Sequence, residues 1–225
     1  IQTASLLVNL TSDGRSNKEN KTSREQWSYT NASDKTTTVS FENFNWYNNG
    51  WILDEEDKSC LRISNGASIR IPLNVLSTKT LVNSLTFEFQ FKLKNVKEYA
   101  TLITTTSRED ENGKVIVEKT IKIEKGVFAN YFKNNIGFCL GTQDAFFTTG
   151  ENTLTVNYVE DRMINLSLVF SKNEKLVSIY LNGVLSGAAK VTIEDPFTIG
   201  KEFMVFNSDY CDVDLYKFRM YNTGF

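Results

Sequence analysis

Between Met163 and Ala189 apolar and polar side chains alternate with a period of two. Ile164, Leu166, Leu168 and Phe170 alternate with Asn165, Ser167, Val169 and Ser171, and after a polar break at Lys172–Lys175, Val177, Ile179 and Leu181 alternate with Ser178, Tyr180 and Asn182. Successive side chains of a pleated strand point to opposite faces, so the two runs predict an antiparallel hairpin with one buried face. Asn182-Gly183 predicts a tight I′ turn, which needs positive φ at both central residues, and a third short strand, Val184–Ser186, follows it.

The alternation is cleanest over Asn83–Asn95, where Leu85, Phe87, Phe89, Phe91 and Leu93 oppose Thr86, Glu88, Gln90, Lys92 and Lys94. Shorter strands are expected at Ser5–Leu10, Val39–Trp46, Trp51–Leu53, Tyr99–Thr106, Val115–Ile123, Asn135–Leu140, Phe146–Thr148, Thr153–Val159 and Phe197–Gly200. Asn65-Gly66 within Cys60–Ile71 predicts a further hairpin, and Arg108–Lys114 a charged hairpin tip. Asp212–Tyr221 closes the chain with Val213, Leu215, Lys217 and Arg219 on one face and Asp214, Tyr216, Phe218 and Met220 on the other. Residues 11–38 form a polar surface connection, with Trp27 its return to the core. Leu73–Thr80 has room for one helical turn after Pro72, and no longer amphipathic helix is visible. The sum is an all-β chain: an antiparallel two-sheet jelly-roll sandwich in a single domain, with little or no helix.

Composition narrows the function classes. The 225 residues carry a net charge of −2, which gives no global attraction to nucleic acid or to an anionic membrane. No apolar run approaches the roughly 20 residues of a membrane span. Histidine is absent, which removes the commonest general base and every His-based metal site. Cys60, Cys139 and Cys211 are odd in number and widely spaced, as expected of buried thiols rather than a disulfide framework or a zinc site. Because the sequence starts at Ile1 and stops just after a strand-like run, it reads as a segment of a longer chain.

The order INLSLVF, KLVSIYLNGVL, FTIGKEF and CDVDLYKFRMYNTGF resembles the C-terminal half of concanavalin A-like, laminin-G-like domains. Gly14-Arg-Ser-Asn17, Phe41–Trp51 and Leu61–Ala67 are similar to laminin-G-like modules in structural proteins of tailed bacteriophages. The resemblance implies a virion component of the tail or neck, extracellular when mature and present in many copies. Its partners would be other virion proteins or a host cell-surface glycan.

Trp46, Tyr47, Asn48, Asn49 and Trp51 are the candidate carbohydrate-binding set. Aromatic faces stack on the apolar faces of sugar rings, and Asn amides both donate to and accept from hydroxyls. Core packing is the competing reading for the two tryptophans. Arg15 and Asn17 are candidate subunit contacts, with a solvated loop as the alternative. The paired-carboxylate strand of related glycoside hydrolases is missing, so no catalytic residue is assigned and the chain is expected not to be an enzyme. No cofactor and no metal ligand is assigned. Asp54–Asp57 and Glu109–Gly113 are rich in oxygen donors that could suit Ca²⁺, but neither matches a calcium loop.

Overall fold

A computed structural model describes residues 6–30, 35–73, 84–97, 99–105, 119–128, 131–140, 143–144, 155–190 and 203–222. It is an antiparallel two-sheet structure. In the first sheet the strands run in the order Val184–Lys190, Leu176–Leu181, Ile164–Ser171, Ser84–Lys94, Asp212–Tyr221, Ser59–Ile63 and Gly50–Leu53. Leu6–Thr11 pairs with the second half of Asp212–Tyr221, beside Ser59–Ile63. The second sheet runs Gln143–Asp144, Tyr131–Leu140, Lys119–Phe128, Tyr99–Thr105, Phe203–Asn207, Ser68–Pro72 and Ser40–Glu42, with Thr155–Asn157 beside Tyr131–Leu140. Ser28–Thr30 and Thr36–Thr38 form a small separate ladder.

The predicted hairpin is present. Ile164–Ser171 pairs with Leu176–Leu181, and Asn182 (φ 51°) and Gly183 (φ 81°) turn the chain into Val184–Lys190. Ser84–Lys94 lies at the centre of the first sheet, and its inward residues Leu85, Phe87, Phe89, Phe91 and Leu93 are all buried. Phe87, Phe89 and Phe218 stack in one layer, and Phe206 of the second sheet meets Phe89 at 6.2 Å between ring centroids. One continuous apolar core therefore joins the two sheets.

Two expectations are corrected. Asn65-Gly66 does turn with positive φ, but the flanking strands do not pair with each other. Ser59–Ile63 lies in the first sheet and Ser68–Pro72 in the second, so the turn is a corner crossing between layers. A period-two pattern with Asn-Gly specifies a reversal, and tertiary packing decides which neighbour each strand finds. In Asp212–Tyr221 the strict alternation fails at Tyr216, where the register with Ser84–Lys94 shifts between Leu215 and Lys217. That bulge changes the phase, so Val213 and Leu215 are buried before it and Phe218 and Met220 after it, while Lys217 and Arg219 face outward. Without it, two cations would enter the core.

Other expected elements are shorter or longer than the pattern suggests. Val39–Trp46 contributes only Ser40–Glu42, and the returning strand expected at Val115–Ile123 is described over Lys119–Phe128, running past Ile123, while residues 115–118 lie outside the described residues. Among the described residues of 11–38 the chain makes one short helix, Lys21–Arg24, capped by the Asn20 side chain, and Trp27 is buried as expected. Phe146–Thr148, Phe197–Gly200, the Arg108–Lys114 tip and nearly all of Leu73–Thr80 lie outside the described residues. Cys60 and Cys211 are buried free thiols, and burial pushes both up to about 12.

Replacing Phe89 by Ala empties the centre of the ring layer. The expected loss is about 3–5 kcal/mol of unfolding free energy. A urea titration showing a loss below about 1 kcal/mol would contradict this placement of the core.

Candidate functional site

The candidate residues converge on one edge of the first sheet. Gly50–Leu53 is the last strand of that sheet, and the segment from Ser12 to Trp27 runs along it as a strap. Asn17 joins the two. Its Oδ1 accepts from the Trp51 amide at 2.7 Å, its own amide donates to the Trp51 carbonyl at 3.2 Å, and its Nδ2 donates to the Asn49 carbonyl at 2.9 Å. The open edge of the strand is thereby paired, which removes a template for association.

Trp51 is buried beneath this strap. Its Nε1 donates to the Arg24 carbonyl at 2.7 Å, and its ring meets Trp27 edge-on at 5.2 Å. The Arg15 guanidinium lies 4.5 Å from the Trp51 ring centroid. Arg15 also pairs with Glu19 and donates to the Ser23 and Gln26 carbonyls, holding the end of the short helix. Both expected subunit-contact residues, Arg15 and Asn17, thus have internal partners.

The loop before the strand is built by two asparagines. Asn49, 1% exposed, accepts from the Asn45 and Trp46 amides at 2.8 and 3.2 Å and donates to the Ser64 and Asn43 carbonyls at 3.2 and 3.4 Å. Asn45 Oδ1 accepts from the Tyr47 and Asn48 amides at 2.8 and 2.9 Å. Gly50 is required at the join. Its φ is +93°, and an added Cβ would lie 2.5 Å from Trp46 Cε3 and 2.6 Å from Asn17 Oδ1.

Trp46 has a φ of 60°, uncommon for a bulky aromatic residue. It stacks on Phe44 at 5.1 Å, touches Phe41 at 5.3 Å, and lies 5.3 Å from Arg24 Cζ. What the loop presents to solvent is Tyr47, 84% exposed, followed by exposed Asn48. The five candidate carbohydrate contacts therefore divide. Trp51 and Asn49 belong to the framework, Trp46 is partly buried in an aromatic cluster, and Tyr47 and Asn48 face outward.

The sequence pattern gave no signal for a second polar cluster, on the outer face of the first sheet. The Tyr216 hydroxyl donates to Asp54 Oδ2 at 2.7 Å, and Lys92 Nζ lies 3.3 Å from the same oxygen. Arg62 grips Asp214 with two bonds of 2.9 and 3.0 Å, and Lys94 adds a contact at 3.5 Å. By alternation alone Asp214 is one position on a face of the closing strand, with Tyr216, Phe218 and Met220. Its neighbour Asp212 accepts from Asn95 Nδ2 at 2.8 Å.

Burial acts to raise the Asp54 carboxyl, but the Tyr216 hydroxyl, the Lys58 and Glu56 amides and Lys92 outweigh it and hold the group well below the usual carboxylate range. A general acid needs the opposite shift. Both buried carboxylates are already matched by cations. Among the described residues no group of three or more acidic or thiol side chains is placed to hold a metal ion. The Glu109–Gly113 segment lies outside them.

No family profile matches the chain, and no curated protein matches it. Solved structures do. A botulinum neurotoxin type C structure, from work on that toxin's interaction with two ganglioside molecules, superposes with a TM-score of 0.60 at 16% identity over 98% of this chain and 49% of that chain. The ligand-binding domain of botulinum neurotoxin serotype D, solved with N-acetylneuraminic acid, gives 0.60 at 14% over 99% and 48%. The binding domain of botulinum neurotoxin DC with rat synaptotagmin II gives 0.56 at 16% over 98% and 49%. At these identities the likeness establishes the fold. The chain spans about half the length of each toxin chain. None of the three is a phage protein.

The Asp54 cluster has a pH signature. A carboxyl whose folded pKa is depressed contributes stability above its ordinary value near 4, and loses that contribution as pH falls through the folded pKa. Asp54→Asn is expected to flatten the acid limb of the stability curve below about pH 4. Equal acid sensitivity of variant and parent in a urea series from pH 7 to pH 2 would show that Asp54 is not held this way.

Proposed function

We propose that this chain is a non-enzymatic carbohydrate-binding module that recognises glycan through the Trp46–Asn49 loop. The observation that carries the reading is Tyr47, held 84% exposed on a loop whose neighbouring amides are fixed by Asn45 and Asn49. A large aromatic ring left in solvent on a rigid support is a stacking face whose ordering cost is already met. The unusual backbone at Trp46 supports the same view, since strain persists where surrounding contacts over-determine it and clusters at binding sites. Asn48 beside the ring offers both a donor and an acceptor to sugar hydroxyls.

The toxin binding domains that share the fold include one solved with N-acetylneuraminic acid and one from work on ganglioside interaction, which agrees with a glycan ligand. The setting proposed from the sequence resemblance is a tailed-phage virion, in the tail or neck, with many copies acting together on a host surface. One exposed ring gives weak binding to a single glycan, and multivalent display would multiply it.

Tyr47→Ala is the direct test. Binding to a glycan array or to host polysaccharide is expected to fall at least about tenfold, while unfolding free energy changes by less than about 0.5 kcal/mol. Unchanged binding by a stably folded variant would remove Tyr47 from the site.

A further inference from the structure

Two arginines of the strap lie against two tryptophans, and among the described residues only one of them meets a carboxylate. Arg15, on Trp51, is paired with Glu19 and two backbone carbonyls. Arg24 Cζ lies 5.3 Å from the centroid of the Trp46 ring, and Arg24 Nε is buried without a hydrogen-bond partner. The other partly buried arginines among the described residues, Arg62 and Arg219, face Asp214 and Glu88. Arg24 has no carboxylate opposite it within that set.

The indole face attracts the guanidinium without cancelling its charge. A guanidinium is a permanently charged planar fork that matches a carboxylate, and partial burial strengthens that match relative to water. Arg24 remains partly exposed. The exposed ring of Tyr47 belongs to the residue that follows Trp46, one Cα step of about 3.8 Å away.

We propose that Arg24 and Tyr47 form a subsite for an acidic saccharide. The sugar carboxylate sits on the terminal nitrogens of Arg24, and the sugar ring lies against Tyr47. This rests on the carbohydrate-binding reading and adds to it the charge of the ligand and the residue that selects it. The strap then has two roles: Arg15 secures it, and Arg24 faces the ligand.

The test is calorimetry or ligand-observed NMR on the full chain at low salt with 3′-sialyllactose, a hyaluronan tetrasaccharide and neutral lactose. At least one carboxylated probe is expected to bind about tenfold more tightly than lactose. Preference for both, or for one alone, supports the proposal and identifies which acidic sugar fits. Arg24→Gln is expected to lower acidic binding to the lactose level and leave lactose unchanged. Arg24→Lys, which keeps charge but loses the fork, should fall between. Arg162→Gln, at an exposed arginine outside the site, should change none of the three. Equal affinity for acidic and neutral probes, or an acidic preference that survives Arg24→Gln, would overturn the subsite and leave the carbohydrate reading standing. Failure of every probe to bind would overturn both.

Discussion

The Asn17 side chain bridges the strap and the edge strand, and the rest of the site depends on that bridge. Gly50–Leu53 would otherwise present unpaired amides and carbonyls at the end of an eight-stranded sheet. Asn17 closes that edge through both backbone groups of Trp51 and holds the Asn49 carbonyl as well. Asn49 in turn fixes the loop that carries Tyr47. One amide thus links edge protection to presentation of the exposed ring. Gly50 leaves no space for a side chain at the junction.

Beneath that edge the sandwich supplies rigidity. The Phe87, Phe89 and Phe218 layer ties the central strands together, and the Asp54, Tyr216 and Lys92 cluster fixes the turn at the other end of the Gly50–Leu53 strand. A loop anchored to an edge strand is only as well placed as that strand. Here one end is held by the Asn49 amide and the other by a buried carboxylate with four donors. The network fixes position: Asp54 and Asp214 are each matched by a cation.

The fold was largely legible in the sequence because its signal is local. Period-two runs such as Leu85–Leu93 and Ile164–Phe170 announce both the strand and its buried face. Where the outcome depends on distant partners, the pattern misleads. The Asn65-Gly66 corner has hairpin chemistry, yet its flanking strands enter different sheets. The Tyr216 bulge is a single extra residue that no alternation rule locates, although Lys217 and Arg219 on an apparently inward face were a warning. The site was half legible. Aromatic and Asn residues marked the right loop, but composition could not separate the amide that builds the loop, Asn49, from the one that faces solvent, Asn48. Arg24 carried no signal at all, since its interest lies in facing no carboxylate among the described residues, which only the three-dimensional arrangement reveals.

The central claim is that the Tyr47 loop is a rigid platform held from the strap. Amide hydrogen exchange by NMR tests it most directly. If the claim holds, the Asn45, Trp46 and Trp51 amides, bonded to the Asn49 and Asn17 side chains, exchange at least about a hundredfold more slowly than unstructured peptide. Replacing Asn17 by Ala should then release all three together. Exchange of these amides at unstructured-peptide rates in the parent protein would contradict the account, because the ring would then sit on a loop with no fixed conformation.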